Sequence, residues 1–394
     1  MMVINSIEKN NNSSINYYKL DHKISYSNIK RNYGIDLLRM LSMINIINLH
    51  INGFSGLLRS LKYNSSQFKP IWRLQAFSRW SVDSFGLISG IVGYKRHKFS
   101  NLIYIWITVF FYSNTISCYV YFIKKALTKK KLILSLFPIL IKRHWYVNAY
   151  FQMYLLLPFI NNGIKNLEKK TFKNIVLFFI FFYSIYYIFG TCVEQTDYNF
   201  LNNGYSGMWL LILYIIGAFF GKYILINTNK YNNIVYFLFF IILYLSSSFF
   251  SSELHFKLLK IKSKIYSKLF INYLSPTMLL QAISLIMFFS RLNVNNKLII
   301  KIISFFTPLT FSVQLIHTRL FQVSKTIKLI RILFHYIKTF KNNLIFYNIY
   351  GFSIIIFLIC SFIDYLRFLL FKLLKIRELS IYIEEIIPKL IDKL

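Results

Sequence analysis

Ten blocks of roughly twenty mostly apolar residues follow one another along the chain, at 35–53, 71–94, 101–123, 145–164, 174–190, 205–225, 233–250, 271–289, 302–323 and 343–371. Each is long enough, some only after polar insertions are allowed, to carry a helix across the ~30 Å hydrocarbon core of a bilayer. In that solvent every backbone N–H and C=O must be paired internally, and helices achieve this within one segment. The expected fold is therefore all-α, a polytopic membrane bundle of about ten transmembrane helices. A shorter apolar stretch, Leu132 to Ile141, is interrupted by Pro138 and reads as a re-entrant or interfacial segment. The linkers leave no room for a separate soluble domain. Residues 1–30 are polar, rich in Asn, Ser and Lys, and lack the apolar core of a cleavable signal peptide. They are expected to be a disordered tail, residues 31–375 the membrane domain, and 376–394 a short cytoplasmic tail.

The charge of the chain points elsewhere at first. Forty-seven Lys and Arg against 13 Asp and Glu give a formal charge of +34, which alone suggests nucleic acid or an acidic partner. Mean hydropathy is nevertheless +0.48. The basic residues sit mostly between the apolar blocks, whereas a soluble nucleic-acid binder would intersperse the two, so no nucleic-acid partner is expected. Disorder over most of the length is excluded by 41 Phe, 30 Tyr and abundant Ile and Leu. The basic residues divide almost evenly between the two sets of loops and do not orient the bundle. The loop 191–204, with Glu194, Asp197 and no Lys or Arg, suits the outside. The scattered cysteines Cys118, Cys192 and Cys360 offer neither a disulfide framework nor a metal site.

An ionisable side chain inside a span is costly and by default a functional hypothesis. The first block carries Asp36, Arg39, Asn45, Asn48 and His50. Arg39 and His50 are eleven residues apart, three helical turns plus roughly 20°, so they share a helix face with ~16 Å between them along the axis. A lipid-facing helix would not carry this stripe. One explanation is structural: Arg39 pairs with Asp36 one turn away, and His50 is an ordinary polar end at the opposite interface. The other is functional: a long anionic substrate places its charged head at Arg39 and its reactive end at His50, where an imidazole acts as general base.

The run from Gly34 to Arg39, with His50 beyond it, resembles the signature of the acyltransferase 3 family of integral membrane O-acyltransferases. Further matches follow in order: Ser81-Val-Asp83 through Ser89-Gly90; His144-Trp145-Tyr146 with Tyr154, Pro158 and Asn161; Gly204-Tyr205-Ser206 with Trp209, Tyr214 and Gly217; Ser275-Pro276 with Gln281-Ala282; Thr310 through His317; and Ile363-Asp364-Tyr365-Leu366-Arg367. They cover about residues 31–375. Ser312 and Gln314 depart from the Gly and Tyr usual in the family's Thr-Phe-Gly-x-Tyr-Leu-Ile-His motif.

The resemblance implies transfer of an acyl group, commonly acetyl, from cytoplasmic acetyl-CoA or another acyl-CoA to a hydroxyl of a cell-surface or lipid-linked glycan. No metal is implied. His50 would be the catalytic base and Arg39 its motif partner, in a multi-pass protein of the plasma membrane. A pantetheine arm is long enough to span the distance between them, and Arg suits phosphate recognition through its planar donors. Lys95, Arg96 and Lys98, just past the second block, could hold CoA phosphates, although an ordinary basic loop explains them too. Asp83 would orient His50 or balance Arg39, or else form a buried ion pair joining the first two spans. His317 has the default reading of a hydrogen-bonded packing histidine. The alternative activity is transport or flipping of lipid-linked saccharides, against which the absence of two related halves counts.

Overall fold

The computed structural model describes residues 31–391 apart from 64, 96, 126, 140–143, 193–200, 226–233, 262–265, 324–331, 333 and 338–343. Among the described residues there are helices and no strands. The long helices are α1 (Tyr33–Phe54), α2 (Phe68–Ser78), α3 (Trp80–Gly93), α4 (Phe99–Cys118), α5 (Trp145–Asn166), α6 (Lys169–Ile180), α7 (Gly207–Phe219), α8 (Ile234–Lys260), α9 (Pro276–Ser290), α10 (Lys297–Phe306), α11 (Thr310–Gln322), α12 (Ile345–Leu373) and α13 (Ile376–Ile391). Single π turns extend α4, α6 and α7 to Ile123, Ile185 and Ile224.

Among the described residues, eight helical stretches are long and apolar enough to cross a membrane: 33–54, 99–123, 169–192, 207–224, 234–260, 268–290, 297–322 and 345–373. The remaining two of the ten expected blocks are helical but more polar. One is α5. The other is divided into α2 and α3, which follow one another through Arg79 alone, a residue that keeps helical dihedrals. The all-α polytopic bundle is thus as expected, and the two weaker blocks contribute part of the polar and aromatic lining described below.

Local chemistry marks where helices start. Asn32 caps α1 by accepting from the Ile35 N–H, and Asp36 lies in the first turn, where a carboxylate complements the helix dipole. Ser206 caps α7 in the same way, and Ser275 caps α9 ahead of Pro276. The expected re-entrant stretch begins with a short helix, Lys129–Leu134, closed by Ser135, whose hydroxyl donates to Asn114; residues 140 and 141 of that stretch, like the N-terminal tail and the acidic pair Glu194 and Asp197, lie outside the described residues. The C-terminal tail from 376 is a helix lying across the start of α4. There Glu384 accepts from the Phe99 N–H at 2.6 Å, and Arg377 donates to Asn101 at 2.7 Å.

Helix α1 is the hub, packed against α2, α3, α9, α11 and α12. Its polar stripe faces these neighbours. Ser42 meets Ser84 of α3 at 2.8 Å, Asn45 accepts from Ser78 of α2 at 3.3 Å, and Asn48 accepts from Ser353 of α12. Between helices in lipid, such hydrogen bonds and close packing of small residues replace the hydrophobic drive. Helices α3 and α7 approach at backbone contact. A Cβ added at Gly90 would lie 1.9 Å from the Tyr214 carbonyl oxygen, and one at Gly217 would lie 2.0 Å from that of Leu87. Large apolar side chains such as Phe159, Ile234 and Tyr347 point outward, as lipid requires.

Candidate active site

The helices enclose a cavity of about 510 Å³, within the range of small-molecule sites. The cavity has two ends along the bundle. We label as inner the end at which α1 begins. The inner end is lined by Arg39, Ser89, Tyr104 and Arg367, and the outer end by His50, Gln75, Arg79, Trp145, Tyr205 and Tyr273. The aromatic rings of Tyr146 and Tyr150, successive turns of α5, stack at 6.4 Å along one wall.

Half of the structural explanation of the α1 stripe is seen, the pairing of Arg39 with Asp36; His50 is not an ordinary interfacial end but lines the cavity and meets His317. Arg39 does pair with Asp36, at 2.9 Å, and Asp36 also accepts from Arg31 at 2.5 Å. Arg39 nevertheless lines the same cavity as His50, with its side chain 26% exposed. Its pairing therefore leaves it able to meet a ligand.

His50 is held by α11. Its Nδ1 lies 2.8 Å from Nε2 of His317 and 3.3 Å from the Thr318 hydroxyl. His317 Nδ1 in turn lies 2.6 Å from the carbonyl oxygen of Val313. A carbonyl can only accept, so the proton of His317 sits on Nδ1. In the neutral ring the His317 Nε2 is then an acceptor, and it takes a hydrogen bond from His50 Nδ1–H. That leaves the lone pair of His50 on Nε2, which has no hydrogen-bond partner among the described residues. The chain Val313 carbonyl, His317, His50 fixes the tautomer a general base needs, with a peptide carbonyl in the role often filled by a carboxylate. His317 is hydrogen-bonded, as its default reading held, and its partner is the residue expected to be catalytic.

Asp83 stands elsewhere. It is fully buried, one oxygen accepts from the Trp209 indole at 3.1 Å, and the other has no hydrogen-bond partner among the described residues. It contacts neither His50 nor Arg39 by hydrogen bond or ion pair and does not line the cavity, so the expected link to the catalytic pair is not made. The reason is tertiary: Asp83 turns toward α7 across the glycine-lined seam, to a tryptophan 126 residues away. Lys95 and Lys98 are exposed at the inner end, between α3 and α4, and neither lines the cavity. Lys95 lies over the Tyr94 ring, and the Lys98 carbonyl accepts from Tyr154. Arg96 lies outside the described residues. The His97 ring lies 4.5 Å from that of Tyr154, tilted by 39°, and burial depresses its pKa, an effect partly opposed by Glu384.

Sequence reasoning gave no role to two cavity arginines. Arg367 is buried, binds Asp364 through two nitrogens at 2.8–2.9 Å, and donates to Tyr104 at 2.9 Å. Tyr112 donates to the same Asp364 at 2.7 Å. The signal was available: Asp364-x-x-Arg367 repeats the spacing of Asp36-x-x-Arg39, which puts acid and base on one helix face. Arg79 donates to the Ile271 carbonyl at 2.8 Å and lies over Tyr273. Nothing local distinguishes it from an interfacial arginine. Among the described residues, no group of His, Cys, Asp and Glu could hold a metal ion.

Fold and site together define a multi-pass membrane protein whose helices surround a polar, imidazole-bearing chamber of substrate size. The family model described as an acyltransferase domain, Acyl_transf_3, matches residues 32–365, most of the chain, and the chain belongs to that family. It is a membrane acyltransferase. No curated protein and no solved structure matches the chain.

Proposed function

We propose that the protein moves an acyl group, acetyl in the simplest case, from cytoplasmic acyl-CoA to a hydroxyl of a cell-surface or lipid-linked glycan at the plasma membrane. The observation that carries this reading is a single cavity with Arg39 and Arg367 at one end and a tautomer-fixed His50 at the other. The thioester arm enters from the inner end. Arg39 and Arg367 meet its anionic or carbonyl oxygens through planar donors, and Lys95, Arg96 and Lys98 supply positive charge for the nucleotide phosphates. The acceptor hydroxyl comes from the outer end. His50 Nε2 takes its proton as the oxygen attacks the thioester carbonyl. The tetrahedral intermediate collapses, the C–S bond breaks, and the CoA thiolate leaves and is protonated. His317 holds the imidazole in place and shares its positive charge while the proton is held. Asp83 acts, on this reading, by fixing the α3–α7 wall rather than by touching substrate.

The test uses membranes containing the protein, radiolabelled acetyl-CoA and isolated surface glycans. Wild type should transfer label to glycan, and His50→Ala should not. Arg39→Lys should be poor, because a point charge lacks the planar fork. Undiminished transfer by His50→Ala would overturn the assignment of the base, and saccharide movement without acylation would favour a transporter.

A further inference from the structure

Three arginines line the cavity, and they differ in one respect. Arg39 is paired with Asp36, and Arg367 with Asp364. Arg79 has no carboxylate within ion-pair distance among the described residues. Its hydrogen bond goes to a backbone carbonyl, and its buried Nε has no partner among the described residues. One turn back on α2, Gln75 is 2% exposed, lines the same cavity, and has an Nε2 without a partner among the described residues. Lys268 adds a second positive charge that acts on Arg79. A buried donor without an acceptor is costly, and so is an uncompensated charge within a membrane bundle. Two unused donors and an unbalanced cation, converging on one end of a cavity, leave a place for an oxyanion.

The walls beside it suit a sugar. Trp145, Tyr205 and Tyr273 form a cluster with ring centroids 4.6 and 5.1 Å apart for successive pairs, and all three line the outer end. Aromatic faces take the C–H face of a pyranose, while polar groups at the edge read its oxygens. We propose that the outer end, built around Arg79 and Gln75, is the acceptor subsite and selects a glycan bearing an anionic group, with Arg79 binding the oxyanion and the aromatic cluster the ring. This rests on the acyltransferase reading above and names its acceptor class. A carboxylate on the sugar and a phosphodiester in the polymer share this chemistry.

The experiment uses the full chain in lipid nanodiscs and three probes: an oligogalacturonate, the same oligosaccharide with its carboxyls reduced to hydroxymethyl groups, and a glycerol-phosphate oligomer. Wild type should bind at least one anionic probe ~10-fold or more tighter than the neutral one. Whichever anion wins identifies the source. Arg79→Gln should bind all three alike, with Arg79→Lys between the two. Thermal unfolding of each variant checks that it is folded. Equal binding of all probes by wild type, no binding of any, or a preference that survives in Arg79→Gln would overturn the proposal. Failure of the acyltransferase reading is a separate result: no His50-dependent release of CoA from acetyl-CoA with any acceptor, whatever the probes bind.

Discussion

The two ends of the cavity manage charge in opposite ways. At the inner end each arginine has its own aspartate three residues earlier on the same helix, a local arrangement that any α-helix with that spacing can form. At the outer end His50 is held by a residue 267 positions away, and Arg79 has no ion-pair partner among the described residues. Local pairing makes a site that is complete before anything binds. Long-range support with unused donors makes one that a ligand completes.

The largest effect should come from removing the base at the outer end. His50→Ala is expected to lower the rate of acyl transfer by about 10³-fold while acyl-CoA still binds, since general acid–base catalysis is worth 10²–10⁴. Binding and rate measured on the same nanodisc preparation would check this, and a loss of acyl-CoA binding equal to the loss of rate would blur the distinction between the ends. Next comes stability. Asp364→Asn leaves Arg367 buried without its counter-ion and should cost about 3 kcal/mol in unfolding free energy. Arg79→Gln breaks no ion pair and should leave the unfolding midpoint close to wild type. Denaturation of the two variants side by side tests whether the ends differ as described.

A smaller loss is expected for His317→Gln, about 30-fold in rate, because the base remains but its orientation and tautomer are less firmly held. The readout that separates positioning from packing is the pH–rate profile: its acidic limb, which reports protonation of the base, should shift in His317→Gln and stay put in a packing variant such as Phe321→Leu. The smallest effect concerns α13. Glu384 is partly buried, which disfavours its charge, but the neighbouring Ser100, the hydrogen bond from the Phe99 N–H and the charge of Lys98 more than offset this and hold its pKa below the usual carboxylate value. A depressed carboxylate stabilises the docked helix above its undocked pKa and loses that contribution as pH falls through the docked value. Docking of α13 should thus hold at neutral pH and loosen below about pH 4.5. Limited proteolysis around residue 375 would report this, and Glu384→Gln at neutral pH should mimic it.

Much of the molecule was legible before any coordinates. Helical blocks follow from length and hydropathy, and the Arg39–His50 stripe follows from the helical repeat. Both are local properties. What stayed hidden is long-range. Asp83 looked like a partner for His50 because both are polar groups in early spans, but its orientation is decided by the close seam with α7, which places the Trp209 indole before it. Arg79 and Arg367 both look like interfacial cations in the chain, and only the fold brings them into one chamber. His317 carried a motif position, yet its contact with His50 depends on α1 and α11 packing side by side.

The seam between α3 and α7 sets a limit on heritable variation. At Gly90 and Gly217 the neighbouring backbone occupies the volume that a single methyl group would need. Of the nineteen alternatives at each codon, even alanine collides, and a compensating change elsewhere would have to move main chain rather than trim a side chain. A library of all substitutions, selected for activity, should therefore return these two positions as glycine while the lipid-facing turns around them drift freely among Phe, Ile and Leu.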